Sequence, residues 1–343
     1  MRIEALTFYR FLAAIMVVVH HFGNNLVSRD FAFQMVTFFF VLSGFVLTAA
    51  YYPKAEFSTK SYAINRIFRI APVYLIALAL AIGPNSKVIA IILNLTFLQS
   101  WFSPYPLSVN FPAWSLSVEM FFYLSFPFIL ANLKKTSPTQ FMMVAGIVWG
   151  FTQMVIMNLL NSPFYAGFPS VSHDLIYFFP ISHLNSFLLG MGAASIFLKN
   201  NVRWKIPSLY SLPLIASLFV LIIFGYKFEQ MISFLIGHDW KFGGSFYAPV
   251  FMALILITAL SDNFFTKTLS LKFPVLLGEA SYAVYILQFP MYKIFYNWIR
   301  PLFPFGGLDL FVYLAFLTMT SIISFYCLEK PVKCLGQNLL NRI

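Results

Sequence analysis

The chain has 343 residues, of which 60% are hydrophobic, 20% aromatic and only 10% charged, with a formal charge of +11. A water-soluble fold of this size must keep a largely polar surface and carries about one quarter charged residues, so a soluble globular protein is excluded. An outer-membrane barrel is excluded too, because stretches such as 38–47 and 214–224 lack the apolar-polar alternation of barrel strands.

What is left is an all-α, polytopic helical membrane protein. Hydropathy places apolar segments at residues 6–23, 33–52, 70–101, 113–131, 140–160, 176–198, 209–226, 246–261, 274–297 and 308–328. The third is too long for one straight helix and is interrupted at Gly83, Pro84 and Asn85. It reads either as two crossings or as one crossing followed by a re-entrant or interfacial piece.

Charge decides between these. With a cytoplasmic N-terminus and a single net crossing at the third segment, 15 Lys and Arg fall inside, from Arg2, Lys54, Arg66 and Arg69 through Lys134, Arg203 and Lys267 to Lys333 and Arg342. Only Arg29, Lys227, Lys241 and Arg300 fall outside. The positive-inside rule therefore predicts about ten transmembrane helices with both termini cytoplasmic. The same spread of basic residues, with no basic arm, argues against a nucleic-acid partner. No repeat or linker divides the chain, so residues 1–343 are expected to form a single domain with no appended soluble module and no cleaved signal peptide. The two cysteines, Cys327 and Cys334, lack the spacing of a metal site, and none is expected.

Ionisable and hydrogen-bonding residues inside spanning helices are costly and mark candidate sites. On the first helix, Arg10 and His21 are eleven residues apart, which returns them to nearly one face about 16 Å apart along the axis. His20 is expected to point elsewhere. The pair either marks two ends of one channel or consists of a snorkelling arginine and an interfacial histidine. A neutral imidazole at His21 is competent as a general base.

Arg66 and Arg69 lie three residues apart at the start of the third segment. They suit bidentate phosphate binding, and equally the anchoring of a helix at lipid headgroups. In Trp114-Ser115-Leu-Ser-Val-Glu119-Met-Phe-Phe-Tyr123, the residues Ser115, Glu119 and Tyr123 recur every four positions on one face. Glu119 has no basic neighbour on its own helix, so it is expected to pair across the bundle, with Arg10, or to be protonated. On the ninth helix Ser281, Tyr285 and Gln288 share a face, while Glu279 near its start favours the helix dipole. Around Pro180, a break in the helix frees backbone groups for His183 or Asn185.

Taken in order, these segments resemble the membrane-bound acyltransferase-3 family, the bacterial O-acyltransferases of polysaccharide and lipopolysaccharide. The resemblance rests on Arg10 and His21 with ten residues between them, Phe39-Phe-Val-Leu-Ser43-Gly44-Phe45, Arg66-Ile-Phe-Arg69, Trp114 to Tyr123, His183-Leu-Asn185 to Gly190, Ser281-Tyr282-Ala-Val-Tyr285 and Glu329-Lys-Pro331. It covers nearly the whole length.

The resemblance implies a ten-helix enzyme of the bacterial cytoplasmic membrane that moves an acyl group, commonly acetyl, from acyl-CoA to a sugar hydroxyl of a glycan or lipid-linked sugar. No permanently bound cofactor is implied, acyl-CoA being a co-substrate. His21 and Arg10 correspond to the family's motif residues, and Arg66 and Arg69 to its donor-handling arginines. Glu119 lies in the matching acidic motif, and oxyanion or acceptor positioning is expected of Ser115, Tyr123, Trp114, Ser281, Tyr285 and Asn185. Two departures stand out: Thr37 where an acidic residue is common, and Gln288 where a histidine is common. Because the residues given hold no appended domain, direct transfer to the acceptor is expected. A transporter or flippase for a glycan or small solute is the alternative, since intramembrane Arg, Glu and His also build transport pathways.

Overall fold

A computed structural model describes residues 4–24, 26–200, 205–236, 244–302 and 306–341. Arg2, Arg203, Lys241 and Arg342 of the charge reading, and the side chain of Lys227, lie outside the described residues.

The described chain is helical, apart from one isolated bridge between Ile206 and Ser261. In order the α-helices are α1 (Glu4–Phe22), α2 (Arg29–Tyr51), α3 (Thr59–Ala81), α4 (Val88–Leu95), α5 (Trp114–Leu133), α6 (Pro138–Leu160), α7 (Val171–Tyr177), α8 (Leu184–Asn200), α9 (Ser208–Ile236), α10 (Ala248–Leu260), α11 (Phe264–Leu269), α12 (Lys272–Ile294), α13 (Asp309–Ser324) and α14 (Lys330–Asn341). Serines start several of them. Ser28, Ser58 and Ser137 accept hydrogen bonds from the first-turn N–H groups of α2, α3 and α6, and Gln140 completes a capping box on Ser137.

Among the described residues eight stretches are long and apolar enough to cross a bilayer. Two of the ten apolar segments fall short of that measure for physical reasons. The helical stretch Gly244–Leu260 is apolar but short. Helix α12 has 23 residues but carries Glu279, Gln288 and two lysines, which make it less apolar while its middle is buried. The protein is thus a polytopic helical bundle.

The long third segment resolves into α3 and the short α4. Eight helical residues rise only about 12 Å, well short of a bilayer core of about 30 Å. Between α4 and α5 the backbone is irregular, and polar side chains satisfy its carbonyls. Tyr74 Oη donates to Asn94 O at 2.8 Å, Gln99 Nε2 to Ala113 O at 2.8 Å and Ser117 Oγ to Phe97 O at 2.6 Å, while Asn110 of the stretch donates its Nδ2 to Ile286 O of α12 at 3.0 Å. Irregular backbone within a membrane bundle persists only when it is satisfied in this way.

Glycines set the closest helix approaches. A Cβ on Gly44 would stand 2.1 Å from Phe187 O, and one on Gly190 would stand 1.9 Å from Val41 O, so α2 and α8 meet backbone to backbone. In the same way Gly278 of α12 lies against Thr7 of α1, where an added Cβ would be 2.0 Å from the carbonyl oxygen. Small residues are the usual means of close helix packing in membranes, where burial offers no hydrophobic gain over lipid. The last contact brings Glu279 beside the N-terminal half of α1. One hydrophobic core, with Phe45, Phe122, Phe126, Phe187 and Phe251 fully buried, runs through this frame.

Helix α8 begins after a break. Helix α7 ends at Tyr177, Pro180 opens a short 3-10 turn, and the freed carbonyl of Tyr177 accepts from His183 Nε2 at 3.0 Å. Asn185 Nδ2 similarly takes Ser182 O at 2.7 Å.

Candidate functional site

Two cavities open at opposite ends of the same helices. The larger, about 340 Å³, is lined by Arg10 from α1, Ser43 from α2, Arg66 and Arg69 from α3, Ser115, Glu119 and Tyr123 from α5, Glu279, Ser281, Tyr282 and Tyr285 from α12, and Lys333 from α14. We call it the basic cavity. The smaller, about 170 Å³, is lined by His20 and His21 from α1, Arg29 and Phe33 from α2, Phe111, Trp114, Phe168, His173, Phe178 and Tyr285. Aromatic rings make most of its wall, so we call it the aromatic cavity.

Val36 and Tyr285 line both cavities, and we call the boundary they form the neck. Arg10 belongs to one cavity and His21 to the other. The alternation is consistent along the chain. The starts of α1, α3, α12 and α14 reach the basic cavity, while the end of α1 and the starts of α2 and α5 reach the aromatic one. Segment three therefore makes one net crossing.

At the basic cavity two arginines and three glutamates lie within electrostatic reach of one another: Arg10 and Arg69 each feel Glu119 and Glu279 of the wall and Glu329 beyond it. Among the described residues no ion pair closer than 4.0 Å joins them. The expected Glu119–Arg10 pair is therefore not formed. Glu119 Oε1 instead accepts from Tyr123 Oη at 2.5 Å, one turn along its own helix, and from Ser43 Oγ at 3.5 Å. A hydroxyl four residues away is already in place, whereas an arginine on another helix would have to cross the cavity.

The guanidinium of Arg66 lies 5.7 Å from the centre of the Tyr123 ring, and its buried Nε has no hydrogen-bond partner. An unsatisfied buried donor costs roughly 1–3 kcal/mol, so a group that accepts from it is favoured here. The Glu329-Lys-Pro331 motif finds its place as well. Glu329 sits in a π-helical turn, Phe325–Glu329, between α13 and α14, within electrostatic reach of Arg69 and Arg10.

In the aromatic cavity His21 packs against Phe111, Phe289 and Phe22, with ring centres 5.5, 5.0 and 6.1 Å away. Its Nδ1 lies 2.7 Å from Gln288 Oε1. His20 does not point elsewhere. It lines the same cavity, its ring centre 5.2 Å from that of His21, because its Nδ1 is tied to Val27 O at 2.9 Å in the turn after α1. Opposite stands His173, with Nδ1 3.1 Å from Tyr165 Oη and the ring stacked on Tyr177.

At the neck, Ser115 Oγ and Tyr285 Oη lie 3.0 Å apart, and Tyr285 Oη also donates to Pro112 O at 3.3 Å. Trp114 faces the aromatic side. Tyr123 is engaged by Glu119 in the basic cavity, Ser281 Oγ is bonded to Gly278 O at 2.7 Å, and Asn185 lines neither cavity. Thr37 is likewise outside both, donating to Gly244 O at 2.7 Å. Sequence reasoning missed Ser43, Lys333, Arg29 and His173 as wall residues. The first sits in a recognised motif, but the others carry no periodic signal and meet the site only through tertiary packing.

The profile of a family described as Acyltransferase domain matches residues 3–329. Among curated proteins, O-acetyltransferase OatA of Staphylococcus aureus strain NCTC 8325 is 24% identical over 95% of this chain and 56% of its own length. The protein of the same name from strain MRSA252 matches with the same identity and coverage. The chain thus spans about 56% of the length of these relatives. No solved structure matches. A profile that follows the chain from the first turn of α1 to the Glu329 turn, through every cavity-lining segment except α14, makes this protein a member of the acyltransferase-3 family.

Proposed function

We propose that this protein is a membrane O-acyltransferase of the bacterial cytoplasmic membrane, carrying an acetyl group from acyl-CoA on the cytoplasmic side to a sugar hydroxyl of a cell-surface glycan or lipid-linked sugar on the outer side. The observation that carries the reading is the pair of cavities, one basic and one bearing His21, meeting at Tyr285. The names of the relatives support acetyl as the group.

In this reading the basic cavity faces the cytoplasm. Arg66 and Arg69 take the phosphates of the coenzyme, with the unpartnered Arg66 Nε as one donor and Lys333 near the mouth. The pantetheine arm runs past Arg10 to the neck, a distance matched by the rise of about 16 Å between Arg10 and His21. Glu119, held by Tyr123 and Ser43, shapes the wall of the arm's path.

The acceptor sugar enters the aromatic cavity, where its apolar face stacks on Trp114, Phe33 and Phe178. His21 removes the hydroxyl proton as the sugar oxygen attacks the thioester carbonyl. The carbon–sulfur bond breaks, and the imidazolium returns its proton to the departing thiolate. Tyr285 and Ser115 stand at the neck, and their hydroxyls turn from Pro112 O and from each other to donate to the oxyanion.

Right-side-out and inverted membrane vesicles carrying wild-type or His21→Ala protein, given labelled acetyl-CoA and total envelope glycan, test this directly. Base-labile label that needs His21 and donor on the cytoplasmic face supports the proposal. No label from any short acyl-CoA, together with donor-independent movement of glycan across the vesicles, replaces it with the transporter.

A further inference from the structure

The environment of His21 specifies which ring nitrogen carries its proton. Gln288 is completely buried on α12, one turn beyond Tyr285, and its amide is pinned at both ends. Its Nε2 donates to Tyr285 O at 2.7 Å, which leaves Oε1 facing His21 Nδ1 at 2.7 Å. The backbone there is held too, because Tyr313 Oη donates to Gln288 O at 2.5 Å.

An amide oxygen only accepts. The short contact therefore requires a hydrogen on Nδ1, and a neutral imidazole has one hydrogen to place. Nε2 is then the ring's lone-pair atom. It makes no hydrogen bond to a described residue, and it is absent from the buried atoms that lack a partner, so it opens into the aromatic cavity. Phe111 and Phe289 hold the ring in that orientation.

We infer that Gln288 is the positioning residue of the site, fixing His21 as the Nδ1–H tautomer so that Nε2 receives the acceptor hydroxyl's proton. The inference rests on His21 being the general base. It gives a role to a residue that stood out in the sequence only as a departure from the family pattern. In acyl-transfer triads a carboxylate does this work and also stabilises the imidazolium. A neutral amide supplies the orientation without the charge.

Proton flow then balances within one imidazole. The sugar O–H bond breaks and its hydrogen goes to Nε2, while Nδ1–H stays bonded to Gln288 throughout. The new ester bond forms as the thioester bond breaks, and Nε2 hands the same hydrogen to the coenzyme thiolate.

The test uses full-length protein labelled with ¹⁵N-histidine in lipid nanodiscs. Only five histidines are present, so the His21 signals are identified by their loss in His21→Phe. In the wild type, His21 should show a protonated Nδ1 and an unprotonated Nε2. Gln288→Met keeps the side-chain length but removes the acceptor. It should mix or invert the tautomers and lower kcat about 100-fold, the low end of what a positioned base contributes. KM for both substrates should stay within about 2-fold, since neither contacts Gln288. Gln288→Glu retains an acceptor and should keep the Nδ1–H signature.

A wild-type His21 protonated on Nε2, or a tautomer unmoved by Gln288→Met, overturns the inference whatever happens to activity. A tautomer that moves while transfer keeps its rate overturns the base role of His21 on which the inference rests. Equal thermal unfolding of Gln288→Met and wild type separates either result from a folding defect.

Discussion

The two cavities share α1, α2, α5 and α12 as walls, yet their chemistry differs completely. The basic cavity collects four cations and two carboxylates, and among the described residues no ion pair within 4.0 Å joins one wall residue to another. Among the described residues the aromatic cavity has Arg29 as its one charged wall residue, with six aromatic rings and three histidines around it. Charges held apart in a cavity are a place to receive a polyanion, because their hydrogen-bonding capacity is not already spent on each other. Aromatic walls around a neutral imidazole are a place to receive a sugar face and move a proton. One helix frame thus supports two chemically different cavities, and Val36 and Tyr285 line both of them.

The strongest way to break the comparison is to break the frame. Gly44→Leu or Gly190→Leu drives a side chain into a backbone carbonyl about 2 Å away, which no rotamer relieves. The cost should exceed the roughly 1–3 kcal/mol of ordinary overpacking, and the yield of monodisperse protein after detergent extraction should collapse. Next in size is the aromatic cavity alone. His21→Ala should lower transfer by about 10²- to 10⁴-fold with normal membrane insertion. His20→Ala should retain most activity, since that ring is anchored to Val27 O. Equal losses from both in the labelled-acetate assay would point to packing rather than chemistry.

The basic cavity should respond differently. Arg66→Ala should raise KM for acyl-CoA by about 10- to 100-fold while leaving KM for the acceptor nearly unchanged, and the opposite split would move the donor site elsewhere. The smallest effect belongs to charges outside both cavities. Asp262 is hydrogen-bonded and ion-paired with Lys205 at 2.9 Å and Lys267 at 3.3 Å, which holds its carboxyl below the ordinary range. Its contribution is present above the carboxylate's unfolded pKa and is lost as pH falls through the lower folded value. Because the pair is exposed, Asp262→Asn should leave the thermal midpoint at neutral pH within experimental error of wild type.

Much of this was legible beforehand. Residue 119 recurring with 115 and 123 every four positions does face one cavity, and Arg66 with Arg69 does share its wall. The long apolar segment after Arg69 does make a single crossing, as the distribution of Lys and Arg demanded. What misled was partner choice. The isolation of Glu119 suggested Arg10, but a hydroxyl on its own helix was nearer. The angle between His20 and His21 suggested divergence, but the cavity wraps the end of α1 and takes both. Gln288 gave no sign of being the partner of His21, 267 positions away.

The amino-acid sequence by itself determined the bilayer as solvent, the number of apolar segments, the parity of their crossings and the shared face of Ser115, Glu119 and Tyr123, because helical periodicity and charge placement are local or summed properties. The tertiary structure alone decided which polar groups meet. Glycines on α2, α8 and α12 bring backbones within touching distance, and that approach, not any motif, places Gln288 against His21 and Glu279 beside Arg10.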